Sequence, residues 1–427
     1  MLLVAVGCCL SFAVWSLGAR AAPGSDPYCT GSYGGAAPRA GPRLRFGIDP
    51  GIAGSAGGVQ LPSTADDPAK DLLGVEALAP HGRLLVVRLN RLFWSDGEPG
   101  IHAFQQQAAR YARAGFEVEL QVRYHPPSGQ AGDIPAWVAY VRHVVDSFGA
   151  RKQVVAMTIT NEVNLQFSPN TSDGYYAGAQ DALIAGIEAA HAEALRRGFR
   201  QLSFGFTYAY RFSPQADASF FSYLGAHGGA PLRRALGFVG LDFYPGTVYP
   251  PVIAPGDSYS AELAQAAGVV RDCYAPMAGI GRSVPIWITE NGVPTGVLSD
   301  AQQADALSQL VTAARDYSGT FGITDYRWFN LRDSSSSGPT TLAGPTFSSD
   351  GLLRDDYTRK PAFTAYQSLI TALGAKPPPM PVRVCHERKR AGARARGAPR
   401  RSGGRCAPPT RRSSAAPRRG SARPARR

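Results

Sequence analysis

Residues Gln153–Asn164 read QVVAMTITNEVN, and Pro285–Asn291 read PIWITEN. Each is a short run of mostly apolar, β-branched residues that ends in a polar dipeptide containing a glutamate. Apolar runs of this length, without alternation, suit strands buried on both faces, the habit of a parallel sheet. Runs of the same kind recur on either side of these two, at Leu44–Ile48, Leu84–Asn90, Phe116–Tyr124, Leu202–Thr207, Phe238–Phe243 and Gly322–Phe329. With Gln153–Thr160 and Pro285–Thr289 they make eight. Helical stretches fall between them, at Ile101–Ala114, Ile134–Phe148, Tyr175–Arg197, Ala261–Met277 and Ala301–Tyr317, and Pro361–Leu373 closes the series. Asp133, ahead of Pro135, and Ser299-Asp300 mark helix starts, while Gly115 and Gly198 mark helix ends. Eight strands alternating with helices predict the α/β class, a (β/α)8 TIM barrel forming a single domain over residues 43–374. A doubly wound sheet would carry a phosphate-binding turn after its first strand. The segment DPGIAGSAGG (Asp49–Gly58) is Gly-rich but does not lead into a helix bearing G-x-G-x-x-G, so a nucleotide site is not expected.

The ends of the chain have a different character. Met1–Leu17 is almost wholly apolar, and Ala19 and Ala21 form an A-x-A cleavage site, so residues 1–21 are expected to be a signal peptide and the protein to be secreted. The run is short for a membrane span, which needs about 20 apolar residues. No basic residue precedes it, a departure from the usual signal, and Cys8 lies too near the start to be a lipoprotein cysteine. Residues 22–42, rich in Gly, Ala, Pro and Ser, read as a linker or loosely held arm. Residues 375–427 hold almost no large apolar side chain and are expected to be a disordered basic tail.

The overall charge of +13 suggests a nucleic-acid partner, but its distribution argues otherwise. From Lys376 onward there are 17 Lys+Arg and one acid, leaving the rest of the chain at −3. No nucleic acid is required by a mildly acidic domain; the tail alone suits contact with an anionic cell-wall polymer. Beyond residue 21 four cysteines remain, Cys29, Cys273, Cys385 and Cys406. A Cys29–Cys273 bridge would tie the arm to the barrel, although four cysteines allow three full pairings. None has zinc-type spacing, so neither a metal nor a cofactor is expected.

Barrel enzymes carry their reactive groups at the C-terminal ends of the strands. Here strand two, LLVVRLN, carries Arg88, with Asn90 and Arg91 beside it; strand three, VELQVRYH, ends in Tyr124 and His125. Strand four ends in Asn161 and Glu162, strand six (GLDFYP) in Tyr244, strand seven in Glu290, and strand eight (DYRWFN) brings Trp328. Carboxyl groups ending strands four and seven face each other across the barrel mouth with room for a sugar ring. Glycoside hydrolysis needs that pairing, one carboxyl to protonate the leaving oxygen and one to attack the anomeric carbon or activate water there. A single such glutamate would equally suit an ion pair; two at these positions favour catalysis.

The Asn-Glu pair ending strand four and the glutamate ending strand seven resemble the clan A retaining glycoside hydrolases, the superfamily of cellulases, xylanases, β-mannanases and β-glucosidases. The resemblance spans most of Arg43–Leu373, including SSDGLLRDDYTRKPAF (Ser348–Phe363) before the last helix. It implies Glu162 as acid/base, Glu290 as nucleophile, and Asn161 as the partner of the sugar 2-hydroxyl. By the same likeness Arg88 and Tyr244 hold the nucleophile ionised and oriented, His125 contacts substrate, and Trp328 is a sugar platform. The implied protein is a monomeric enzyme acting on oligo- or polysaccharides. Trp94, Tyr124, Tyr208, Tyr210, Tyr249 and Phe329 are further aromatics available to an extended cleft. Asn170-Thr171-Ser172 is formally a glycosylation acceptor. A barrel that binds sugar without cleaving it, and a surface protein that merely presents the basic tail, are the alternatives; release of product from aryl glycosides separates them.

Overall fold

A computed structural model describes residues 26–51, 55–56, 59–60, 63–80, 82–211, 213–296, 298–337 and 347–377. The expected signal peptide lies outside these residues, as does all of the expected basic tail except 375–377.

Eight parallel strands close into a barrel: β1 (Arg45–Ile48), β2 (Leu85–Phe93), β3 (Glu117–Arg123), β4 (Val154–Ile159), β5 (Ser203–Ala209), β6 (Phe238–Asp242), β7 (Ile286–Glu290) and β8 (Ile323–Trp328), with β8 pairing back onto β1. The expected strands are all present, and β2 runs on to Phe93. The expected helix starts hold. The Asp133 carboxylate accepts from Ala136 N, and Ser299 forms a reciprocal capping box with Gln302.

Helices Pro68–Leu78 and Pro214–His227 escape the sequence reading. Their inward faces explain this, because the first buries Asp71 and Gly74 and the second buries Asp217, which breaks the apolar period. The stretch expected as Ala261–Met277 is a helix at Tyr259–Val269 that passes through a π turn, Val270–Tyr274, before resuming. The Tyr175–Arg197 helix starts later than expected, at Ala179.

Over residues 26–42 the N-terminal arm is not loosely held, which corrects the expectation from its composition. Cys29 and Cys273 form a disulfide with their Cα atoms 5.9 Å apart. Gln265 Oε1 accepts from Tyr33 N at 2.7 Å and Gly34 N at 2.9 Å, and Gly41 N donates to Ser318 Oγ at 2.7 Å. The partners lie more than 230 positions away in sequence, out of reach of any local pattern. Gly268 is needed here, since a Cβ on it would stand 2.3 Å from Tyr33 O.

The chain closes on itself below the barrel. Ala375 N donates to Leu44 O at 2.8 Å, and Leu84 N donates to Ala375 O at 3.0 Å. Among the described residues no helix is long and apolar enough to cross a membrane.

The barrel interior is polar where many such barrels are aliphatic. Glu119 on β3 takes Arg327 Nε at 3.1 Å and Arg88 Nε at 3.4 Å, and all three side chains are buried. Arg327 also pairs with Asp325 at 2.8 Å. Arg327 passes over Gly47, where a Cβ would lie 2.3 Å from its Cδ. These ion pairs fill the space beneath the mouth and give Arg88 a fixed base from which to reach it.

Candidate active site

At the end of β4 the backbone turns sharply. Thr160 and Glu162 both have positive φ, 68° and 47°. This region is costly for residues with a Cβ, more so for a β-branched threonine. The turn is held on each side: Thr160 N donates to Val122 O, Asn161 N to Asp173 Oδ2, and Glu162 N to Thr207 O. The strain therefore sits where it places Asn161 and Glu162 side by side at the mouth. Asn161 Oδ1 accepts from Gln121 and Thr207, and its Nδ2 donates to Thr171 O at 2.9 Å and to Glu162 Oε2 at 3.3 Å.

Glu290, the last residue of β7, is 7% exposed and held through both oxygens. Arg88 Nη1 donates to Oε1 at 2.8 Å, and the Tyr244 hydroxyl donates to Oε2 at 2.9 Å. The sequence-expected partners of Glu290 are thus in contact with it. Two donors on one carboxylate hold its orientation.

Glu162 is less well compensated: the Asn161 amide donates to it at 3.3 Å, and the charges of Arg123 and Arg88 are outweighed. Burial, then the carboxyls of Asp242 and Glu290, push its carboxyl well above the ordinary glutamate range. Asp242, at the end of β6, is likewise driven well above the usual range by burial and Glu290. Asp49, just after β1, is pushed up to about 7 by burial, against the pull of Arg88 3.8 Å away. The two glutamates, alike in sequence, therefore sit in opposite electrostatic settings, one paired with a guanidinium and a phenol and the other favouring its protonated form.

One carboxyl oxygen from each of Glu162, Asp242 and Glu290 lies within 4.8 Å of the other two. Among the described residues these three alone form a cluster able to ligate a metal ion. Arg88 already supplies a cation to one of the three.

A cavity opens over the pair, lined by Asn90, Arg91, Arg123, Asn161, Glu162, Asn170, Thr171, Tyr244, Glu290, Phe329 and Phe347. Two expected substrate contacts are not among these residues. Trp328 is fully buried in β8 with its indole N–H donating to Asp350 O at 2.9 Å, so it cannot serve as a sugar platform; the next residue, Phe329, reaches the cavity instead. His125 turns aside, its Nδ1 2.9 Å from Ser95 Oγ and its ring 4.7 Å from that of Phe93. Of the remaining cleft aromatics, Trp94, Tyr124, Tyr208 and Tyr210 are core residues. Asn170 is a cavity wall, where a glycan would obstruct the site.

Asp242, Asp49, Arg123 and Phe347 went unnoticed in the sequence. Asp242 carried the clearest signal, two residues before Tyr244 in GLDFYP. Arg123 looked like one more strand residue.

No family model matches the sequence, and no curated protein matches it significantly. Solved structures share its fold. A GH5_18 protein from Bifidobacterium longum subsp. infantis is 16% identical with a TM-score of 0.54, over 79% of this chain and 80% of that one. A GH5_18 protein from Streptomyces cattleya, solved with GlcNAc, is also 16% identical, with a TM-score of 0.53 over 80% and 83%. A β-glucosidase from Thermotoga maritima, solved with a substituted glucoimidazole, is 14% identical with a TM-score of 0.55 over 79% and 100%. The fold shared with these structures is the (β/α)8 barrel.

Proposed function

We propose that this chain is a retaining glycoside hydrolase in which Glu290 is the nucleophile and Glu162 the acid/base. The observation that carries this reading is the asymmetry of two carboxyl groups that approach each other closely, one oxygen of Glu162 lying within 4.8 Å of one oxygen of Glu290. That approach favours direct attack. Retaining enzymes hold their carboxyls about 5 to 5.5 Å apart, whereas inverting ones leave about 6.5 to 9.5 Å for a water. Glu162 gives its proton to the glycosidic oxygen as the C1–O bond breaks, and Glu290 bonds to C1. Glu162, now ionised, then takes a proton from the water that displaces Glu290. Asn161, with its amide anchored on Thr171, meets the 2-hydroxyl, and Phe329 offers the apolar face for the ring. The solved neighbours include a GH5_18 protein from Streptomyces cattleya in complex with Manb1-4GlcNAc, which supports an oligosaccharide substrate. We read the protein as exported, in keeping with its Cys29–Cys273 disulfide.

The test is how the two glutamates fail. Glu290→Ala abolishes turnover, and azide restores cleavage with an inverted glycosyl azide. Glu162→Ala still forms the intermediate from an activated aryl glycoside but hydrolyses it slowly, and azide yields a product of retained configuration. Inversion in the first-formed product of the wild type, seen by NMR, would overturn the assignment.

A further inference from the structure

Strand β2 slips its register against β3 between Leu89 and Leu92, and Arg91 within the slip has a φ of 70°. Irregularities of this kind re-aim a side chain, and here Arg91 becomes part of the cavity wall. From β3, Arg123 reaches the same cavity.

These two guanidinium groups are poorly matched by the protein. Among the described residues Arg91 has no ion-pair or hydrogen-bond partner; of the charges acting on it the repelling Arg123 is the largest, ahead of the attracting Asp49 and Glu290. Of all the acids in the chain, only Glu387 lies outside the described residues. Arg123 is 2% exposed and donates from Nε to Asp173 Oδ1 at 2.7 Å. The other oxygen of Asp173 is taken by the backbone N–H groups of Tyr124 and Asn161. Arg123 Nη2 is buried without any partner. By contrast Arg88, deeper in the barrel, has carboxylates at 2.8, 3.4 and 3.8 Å.

Two guanidinium groups line one sheltered wall, and of the two only Arg123 has an ion pair, to Asp173. The cluster is incomplete, because a buried charge is strongly unfavourable without a full set of partners. The missing anion is supplied if the ligand brings it. The planar guanidinium fork matches carboxylate and sulfate oxygens better than neutral hydroxyls.

We propose that Arg91 and Arg123 form a recognition site for an oxyanion, a carboxylate or sulfate, on the sugar bound beside Glu162 and Glu290. The enzyme then acts on uronic-acid-containing or sulfated glycosides in preference to neutral ones. This rests on the hydrolytic reading of the same cavity and narrows its substrate class.

The experiment uses the full chain and aryl β-glycosides matched in ring configuration, with hydroxymethyl, carboxylate or 6-sulfate at C6. The free sugars are titrated calorimetrically in parallel. The acidic member of a pair has the higher kcat/KM and its free acid binds, whereas the neutral sugar does not at the same concentration. Arg91→Gln lowers the acidic-to-neutral ratio by about 10- to 100-fold, the range for losing a charge-assisted hydrogen bond, and Arg91→Lys restores part of it. The carboxylate and sulfate sets show which oxyanion is preferred. Thermal melting checks that the variants fold; the partly exposed Arg91 is the better target than buried Arg123.

Neutral glycosides cleaved as well as acidic ones, or a ratio unchanged in Arg91→Gln, would overturn the anion site while leaving the glycosidase intact. Uronic acids that bind where neutral sugars do not, with no glycoside cleaved, would uphold the site and sink the hydrolytic reading. Equal binding, or no binding, of both sugar types without cleavage would overturn both.

Discussion

Replacing Tyr244 by Phe removes one atom from the proposed mechanism. The phenol donates to Glu290 Oε2 at 2.9 Å, while Arg88 holds the other oxygen. Burial and the Glu290 carboxylate push the phenol well above its ordinary range, so it stays a donor throughout the working pH. The ring itself packs edge-on against Phe329 and Phe347, contacts that phenylalanine keeps. The change is therefore confined to one hydrogen bond to a carboxylate, worth about 1.5–3 kcal/mol. Its effect falls unevenly on the two steps. In glycosylation Glu290 loses charge toward the transition state, so a weaker bond to the ground-state carboxylate partly offsets the lost orientation. In deglycosylation the charge returns to Glu290 as C1 departs, and the missing donor is felt in full. With an activated aryl substrate kcat should fall by about 10- to 150-fold, since each 1.36 kcal/mol is tenfold. KM should fall with it as intermediate accumulates, and a burst of aryl alcohol should precede the slow steady state. Stopped-flow absorbance with the best aryl glycoside measures all three. A kcat within twofold of wild type, or a rise in KM without a burst, would show that the phenol does not act on the leaving carboxylate.

Glu162 must be protonated to act as acid, and its carboxyl lies well above the ordinary range; activity should fall as pH rises through that raised value, and Glu162→Gln should remove this alkaline limb for activated substrates. Asp49, pushed to about 7 from 3.8, binds its proton more tightly folded than unfolded. Its contribution is thus fully present below about pH 4 and declines as pH rises toward 7, by at most about 4 kcal/mol, so Asp49→Asn should flatten the melting temperature over that window. Breaking the Cys29–Cys273 bridge by a double serine substitution should cost roughly 2–5 kcal/mol, read from denaturant unfolding, with reductant giving the same loss in the wild type. Truncation after Pro377 keeps the Ala375 bonds to Leu44 and Leu84 and should leave melting and turnover unchanged; a fragment that fails to fold would refute the boundary.

Much of this molecule is legible in its amino-acid order. The eight strands can be read from short apolar runs because parallel strands are buried on both faces and signal themselves by composition alone. Glu162 and Glu290 stand out because each ends such a run, and in a closed parallel barrel strand ends converge on one mouth. Arg88 and Tyr244 needed the family resemblance as well, since Asn90 and Arg91 were equally placed in sequence. The residues just beyond a strand are harder to place. Trp328 and Phe329 are adjacent, yet one is core and the other lines the cavity, a difference of a single backbone turn that no periodicity encodes. His125 was a strand-end residue like the others, but its neighbours Ser95 and Phe93 draw it aside. Asp242 and Arg123 acquire meaning only from partners on other strands, and the arm's attachment depends on Gln265 and Cys273 far along the chain. Local pattern determined which segments form the barrel and which strand ends carry carboxyls. The tertiary structure alone decided which side chains share the cavity and which charges lack a partner, because both depend on distances between residues remote in sequence.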